Sequence, residues 1–220
     1  MERKIVIPGT LLGKIDGNKQ GRGTFREGKN IYSSRLGILE EKSGYLNVIS
    51  LSGVYDPSVG DTVIGVIKEA SKMSWMADIN APYPALLRAD EVPWRVEFGE
   101  ASHFLNTGEV IIADVMSINE ARNIEISMRG KHCRKVEEGV IVEIQPSKVP
   151  RVIGKNGSMV SLLRQGTRCW IFVGQNGRVW IKGKDDKMAI LVEAIHKIEK
   201  EAHTTGLTDK ISKFLESKGD

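Results

Sequence analysis

Through the first 130 residues no apolar stretch runs more than a few residues before Gly, Asp, Asn or Pro interrupts it. Strands survive such punctuation, but helices of three turns do not. Up to about residue 56 the apolar pieces are 5–7, Leu11-Leu12, Ile31-Tyr32, 37–39 and 45–51. Asp16-Gly17-Asn18 and Gly21-Arg22-Gly23 lie between them. This segment, 1–56, reads as short antiparallel strands joined by tight turns. So short a β-rich unit buries little surface and is expected to lean on a neighbour.

Asp56-Pro57 is a turn signal and opens a second segment, 57–132. Strands are expected at 62–69, 75–79, 85–87, 109–115 and 124–128. Ala81-Pro82-Tyr83-Pro84 breaks the run, and 91–107 reads as a long loop or a short helix. Five short strands in about 75 residues predict a small closed barrel of the OB-fold type.

In the third segment, 133–205, the period changes. Val140, Val142 and Ile144 alternate with Ile141, Glu143 and Gln145 as in a strand. Helical pieces at 147–153 and 158–165 follow, then strands at 168–173 and 178–182 joined by an Asn-Gly hairpin turn. A helix at 185–203 closes the segment. Met188, Leu191, Val192, Ile195, Ile198 and Ala202 mark its single apolar face. Asp185 and Asp186 at its start are expected to cap it. The order is βααββα, and 206–220 reads as a tail.

Charge is unevenly spread. Residues 1–130 carry 15 Lys and Arg against 17 Asp and Glu, whereas 131–220 carry 17 against 11. A localised basic excess is the electrostatic footprint of a phosphate-rich partner. The sharpest motif lies in this basic part: Arg151-Val152-Ile153-Gly154-Lys155-Asn156-Gly157-Ser158. A G-x-x-G loop between two short helices is the nucleic-acid clamp of KH domains. Gly154 and Gly157 let the chain turn tightly and let a phosphodiester approach without meeting a Cβ. The following helix offers N–H groups and a positive dipole end to phosphate. Lys155 and Arg151 add countercharge, Asn156 sits at the loop, and Ile153 is placed to pack under a base. A second such string, Gly174-Gln175-Asn176-Gly177, lies between strands and reads as a hairpin turn.

On the barrel, Lys72, Trp75, Arg88 and Arg122 are candidate RNA contacts, with Trp75 as a stacking platform beside a basic groove. Core burial of Trp75 is the competing reading. Trp94, Trp170 and Trp180 are open to either use. The sequence contains no H-E-x-x-H, G-x-S-x-G or G-x-x-x-x-G-K-[ST] string, and no metal site or cofactor is expected. Cys133 and Cys169 form no C-x-x-C pair and read as buried thiols of a reducing compartment. No apolar run approaches the ~18 residues of a membrane span. A cytoplasmic location without membrane contact is the expectation.

Together these residues resemble a known family. Ile7-Pro8-Gly9, the string from Gly21 to Gly28, Ile31-Tyr32-Ser33-Ser34, the Gly154 loop and the Gly174 string are similar to the RNA-binding cap subunits of archaeal exosomes. The resemblance implies a β-rich N-terminal domain, an S1-like OB-fold barrel and a type I α/β KH domain. It further implies a trimeric cap on a hexameric ring of RNase-PH-like subunits. The cap binds single-stranded RNA and guides its 3′ end to the ring's phosphorolytic centres, and itself cleaves nothing. In that picture residues 1–56 dock on the ring, and the Gly174 string packs near the barrel. The alternative is a stand-alone S1/KH RNA-binding regulator or a translation-associated factor.

Overall fold

The computed structural model describes residues 4–51 and 53–219. The chain divides into two compact units, the first ending at Gly53 and the second beginning at Val54.

The first unit contains β1 (Ile5–Val6), β2 (Leu11–Lys14), β3 (Lys19–Gln20), β4 (Thr24–Glu27), β5 (Asn30–Ser33), β6 (Gly37–Lys42) and β7 (Tyr45–Ser50). They form one sheet in the order β1-β6-β7-β3 and another in the order β2-β5-β4. The β6–β7 hairpin turns on Ser43 and Gly44, both at positive φ. Two such residues match the right-handed twist of the flanking strands. Val6, Ile31, Leu46 and Val48 form a small buried set.

The second unit opens with the expected barrel: β8 (Thr62–Ala70), β9 (Ser74–Asp78), β10 (Ala85–Arg88), β11 (Val110–Ile118) and β12 (Ile124–Ser127). The strands pair in the order β12-β10-β9-β8-β11, and a β12–β11 pairing closes the circle. The β10–β12 pair is parallel and the other four are antiparallel. Strand alternation explains the filling: Val63, Ile67, Trp75, Ala77, Leu87, Ile111, Ala113, Val115 and Ile126 point inward. The segment between β10 and β11 is both a loop and a short helix, with α1 (Ala101–Phe104) inside it. β13 (Arg134–Val136) pairs with β11, so the barrel's sheet runs a few residues past the expected boundary.

The remainder is β14 (Val140–Glu143), α2 (Val149–Ile153), α3 (Ser158–Thr167), β15 (Trp170–Val173), β16 (Arg178–Lys182), α4 (Asp185–Lys200) and α5 (Leu207–Gly219). Through α4 this is the predicted βααββα layout, with the antiparallel sheet ordered β14-β16-β15. Val142, Ile144, Ile171, Val179 and Ile181 pack on the helices. On the opposite face Ile141, Phe172 and Trp180 meet Ile64 and Ile112, which project outward from the barrel.

Two expectations change. The expected tail at 206–220 is replaced over Leu207–Gly219 by α5, which buries Leu207, Ile211 and Leu215 in the KH core. Their four-residue spacing is a helical stripe in plain sequence. Asp185 and Asp186 do not cap α4 with their side chains. Lys184 holds the N-cap position without a side-chain hydrogen bond. The two carboxylates lie in the first turn, where they oppose the positive end of the helix dipole.

Candidate nucleic-acid interface

α2 ends because Gly154 takes φ +77°, ψ 171°, a conformation closed to residues with a Cβ. Its N–H still donates to Pro150 C=O at 3.0 Å. A Cβ built on Gly154 would lie 2.6 Å from the Met159 backbone nitrogen, so space excludes it as well. Asn156 (φ +53°) and Gly157 (φ +78°) carry the chain through a left-handed corner into α3. The space beside Gly157 is open to 4 Å. Lys155 and Asn156 are exposed at the tip, Arg151 is exposed on the last turn of α2, and Ile153 is half-buried against the helical core. The structure therefore gathers six of the named candidates into one corner at the start of a ten-residue helix. Two cations, a side-chain amide and a backbone that a phosphate can approach closely converge there.

The second Gly-x-Asn-Gly string has the opposite environment. It forms the expected hairpin turn, a three-residue loop of Gln175, Asn176 and Gly177. Gly177 N–H donates to Gly174 C=O (3.2 Å), and Gly177 is left-handed at φ +81°. Asn176 is fully buried. Its Oδ1 accepts from Ile64 N–H (3.2 Å), and its Nδ2 donates to the carbonyls of Ile64 and Ile79 (2.8 Å each). Gln175 N–H donates to Thr62 C=O (2.9 Å). Beside it, buried Arg178 donates to Asp78 Oδ2 and to Glu143 Oε1, both at 2.9 Å. This string bolts the KH sheet to the barrel.

Burial pushes the Asp78 carboxyl up. The Arg178 hydrogen bond, the Asn80 N–H and the charges of Arg178 and Lys68 outweigh that and hold it below the usual carboxylate range.

The barrel candidates are not one site. Trp75 is fully buried, and its Nε1 donates to the carbonyls of Ala101 and Leu105 (3.2 and 3.0 Å). β9 turns Trp75 and Ala77 inward, so no base stacks on Trp75 and the stacking assignment is corrected. Arg88 is exposed but held by two 3.0 Å hydrogen bonds to the Asp90 carboxylate. Lys72 is at the β8–β9 turn, the same end of β10 as Arg88, since Ala89 N–H donates to Met73 C=O. Arg122 (φ +59°) lies in the β11–β12 turn at the other end, about 10 Å along β10.

Phe98 is the residue missed by sequence reasoning. It is 74 % exposed, with Lys72 Nζ 5.3 Å from its ring centroid. Gly99 N–H donates to Lys72 C=O (3.1 Å), tying this loop to the turn. An aromatic between Glu97 and Gly99, outside any strand or helix period, was the available signal.

Cys169 is buried, as expected, whereas Cys133 is half-buried. Burial, with Asp114 alongside, pushes the Cys133 thiol up to about 12, so it stays protonated at neutral pH. Among the described residues no helix is long and apolar enough to cross a membrane.

The comparisons agree with the fold. Residues 139–187 match a family described as "KH domain", and residues 5–41 match one described as "Exosome complex exonuclease RRP4 N-terminal region". The exosome complex component Rrp4 of Methanosarcina mazei is 47% identical over 217 residues, covering 99% of this chain and 83% of that protein. The Rrp4 of Pyrococcus abyssi is 44% identical over 222 residues, 98% of this chain and 83% of the relative. That of Picrophilus torridus is 37% identical over 214 residues, 97% and 93% respectively. A crystal structure described as that of an exosome complex RNA-binding protein is similar with a TM-score of 0.69 and 39% identity, over 76% of this chain and 97% of that one. With relatives this close along nearly its whole length, the chain belongs to the Rrp4 family of exosome complex components.

Proposed function

We propose that this chain is a non-catalytic RNA-binding component of an archaeal exosome. It forms a trimeric cap on a hexameric RNase-PH-like ring and guides the 3′ end of single-stranded RNA toward the ring's phosphorolytic centres. The observation that carries RNA binding is the Gly154–Gly157 corner, an open left-handed backbone with exposed Lys155, Asn156 and Arg151. The first unit is the ring-docking part of this reading, in keeping with the family match over residues 5–41. Lys72, Arg88 and Arg122 remain RNA contacts in it, with Phe98 replacing Trp75 as the barrel's stacking surface.

Three copies arranged around one pore turn several weak contacts into avidity. The catalytic groups belong to the ring, and this chain raises the local concentration of substrate there.

The test mixes the full chain with a catalytically competent ring. Co-elution in size-exclusion chromatography and faster phosphorolysis of a single-stranded RNA are expected. RNA binding without co-elution would favour the stand-alone regulator, and RNA turnover by the chain alone would end the non-catalytic reading.

A further inference from the structure

Trp170 opens β15, the edge strand of the KH sheet, and is 62 % exposed. The other three tryptophans are wholly or partly buried. Strand alternation puts Trp170 on the same face as Phe172, but Phe172 is covered by the barrel and Trp170 is not.

The surroundings are cationic. The Arg164 guanidinium from α3 sits 5.7 Å from the indole centroid and donates to Ile171 C=O (3.3 Å). Lys182 on β16 stands directly opposite Trp170. Just outside that pair, Arg168 and Lys184 line a cavity of about 500 Å³ with Lys187, Gln165, Gly166 and Thr167. No acidic residue lines it. Of the five cations, Lys182 is engaged by Glu138 at 2.6 Å. Arg168, Lys184 and Lys187 have no carboxylate within ion-pairing distance among the described residues. Asp185 and Asp186 are the acidic neighbours in sequence, and both oppose the dipole of α4.

We propose that this sheet edge is a second contact for single-stranded RNA, separate from the Gly154–Gly157 corner. A base stacks on Trp170, and neighbouring phosphates lie along Arg168, Lys184 and Lys187. The proposal rests on the RNA-binding reading above. An open aromatic face beside a row of cations is how single strands are held without sequence readout. An acidic protein surface would satisfy the cations but would make no use of a flat ring held open at a strand edge. The corner and the edge lie at opposite ends of α3, about 15 Å apart along its ten residues. One strand engaging both gains affinity from linkage.

The test measures binding of the full chain to a fluorescent single-stranded A20 oligonucleotide across a salt series. The variants are Trp170→Ala, Trp170→Tyr, the triple Arg168→Asn with Lys184→Gln and Lys187→Gln, and the corner variant Lys155→Asp with Asn156→Asp. Asn is chosen at 168 because it tolerates the left-handed backbone there (φ +57°). Trp170→Ala is expected to weaken binding about 5-fold or more, and Trp170→Tyr to restore most of it. The triple variant should lower the salt slope by about 2. Melting temperatures should not change, since every altered side chain is exposed or half-buried.

Wild-type affinity and slope in the edge variants, with a weakened corner variant, would overturn the proposal and leave the RNA reading intact. Edge variants that keep their RNA affinity but lose co-elution with the ring would overturn it in favour of a protein contact. No RNA binding by the wild-type chain would remove both readings.

Discussion

The two Gly-x-Asn-Gly strings put the same residue in opposite environments, so Asn176→Ala should do what no change at Asn156 does. The substitution removes three hydrogen bonds, to Ile64 N–H, Ile64 C=O and Ile79 C=O. At about 1 kcal/mol net each, their loss costs about 3 kcal/mol. A buried carbonyl left without a partner adds about 1–3 kcal/mol. The Ile64 carbonyl keeps a 3.4 Å approach from Arg178, which favours the lower end. That lower end is about 4 kcal/mol in all; for a chain of this size each kcal/mol is about 2–4 °C, so the melting temperature should fall by about 8–16 °C. Asn156→Asp keeps a residue type that tolerates the left-handed corner and should shift it by less than about 2 °C. Differential scanning calorimetry gives both numbers, and near-UV circular dichroism follows Trp180, which lies in the same interface. Equal shifts for the two variants would refute the division of roles.

Lys155→Asp with Asn156→Asp should weaken single-stranded RNA binding with the melting temperature unchanged; a gel-shift titration matching wild type would mean that the barrel carries the affinity. Phe98→Ala should weaken RNA binding by about 1–3 kcal/mol without destabilising the chain. Trp75→Ala should instead cost about 3–5 kcal/mol of stability, and paired binding and melting measurements that reversed this pattern would restore Trp75 as the platform. Asp78 has a depressed carboxyl in the folded protein. Its contribution is therefore present above the unfolded carboxylate value near 4 and is lost as pH falls through the lower folded value. Melting curves of wild type and Asp78→Asn should converge in acid, and parallel curves from pH 6 to pH 2 would count against the ion pair. Ile211→Ala should cost about 2–5 kcal/mol, where a true tail residue would cost nothing in urea denaturation.

Much of the fold is legible because it is periodic. The barrel strands and the βααββα order follow from alternation and from one helical stripe, signals that persist over many residues. α5 is equally legible through Leu207, Ile211 and Leu215, although its polar residues outnumber its apolar ones. The Gly154 corner is local chemistry, with two glycines, a left-handed Asn and a following helix all adjacent in the chain. Trp75 and Phe98 are a different case. Which aromatic faces solvent depends on strand register and on a loop without period, so residue type alone pointed to the wrong one.

By itself the sequence determined the elements, their order, and the Gly-Lys-Asn-Gly corner, because each arises from residues close together along the chain. The tertiary structure decided what those elements face. Asn176 reaches Ile64 across 112 positions and Arg178 reaches Asp78 across 100, and these contacts make the second string a joint between domains. Phe172 is covered while Trp170, two residues away in the same strand, stays open, because the barrel packs over one and ends before the other. Burial depends on distant segments arriving in space, and local pattern carries no record of their arrival.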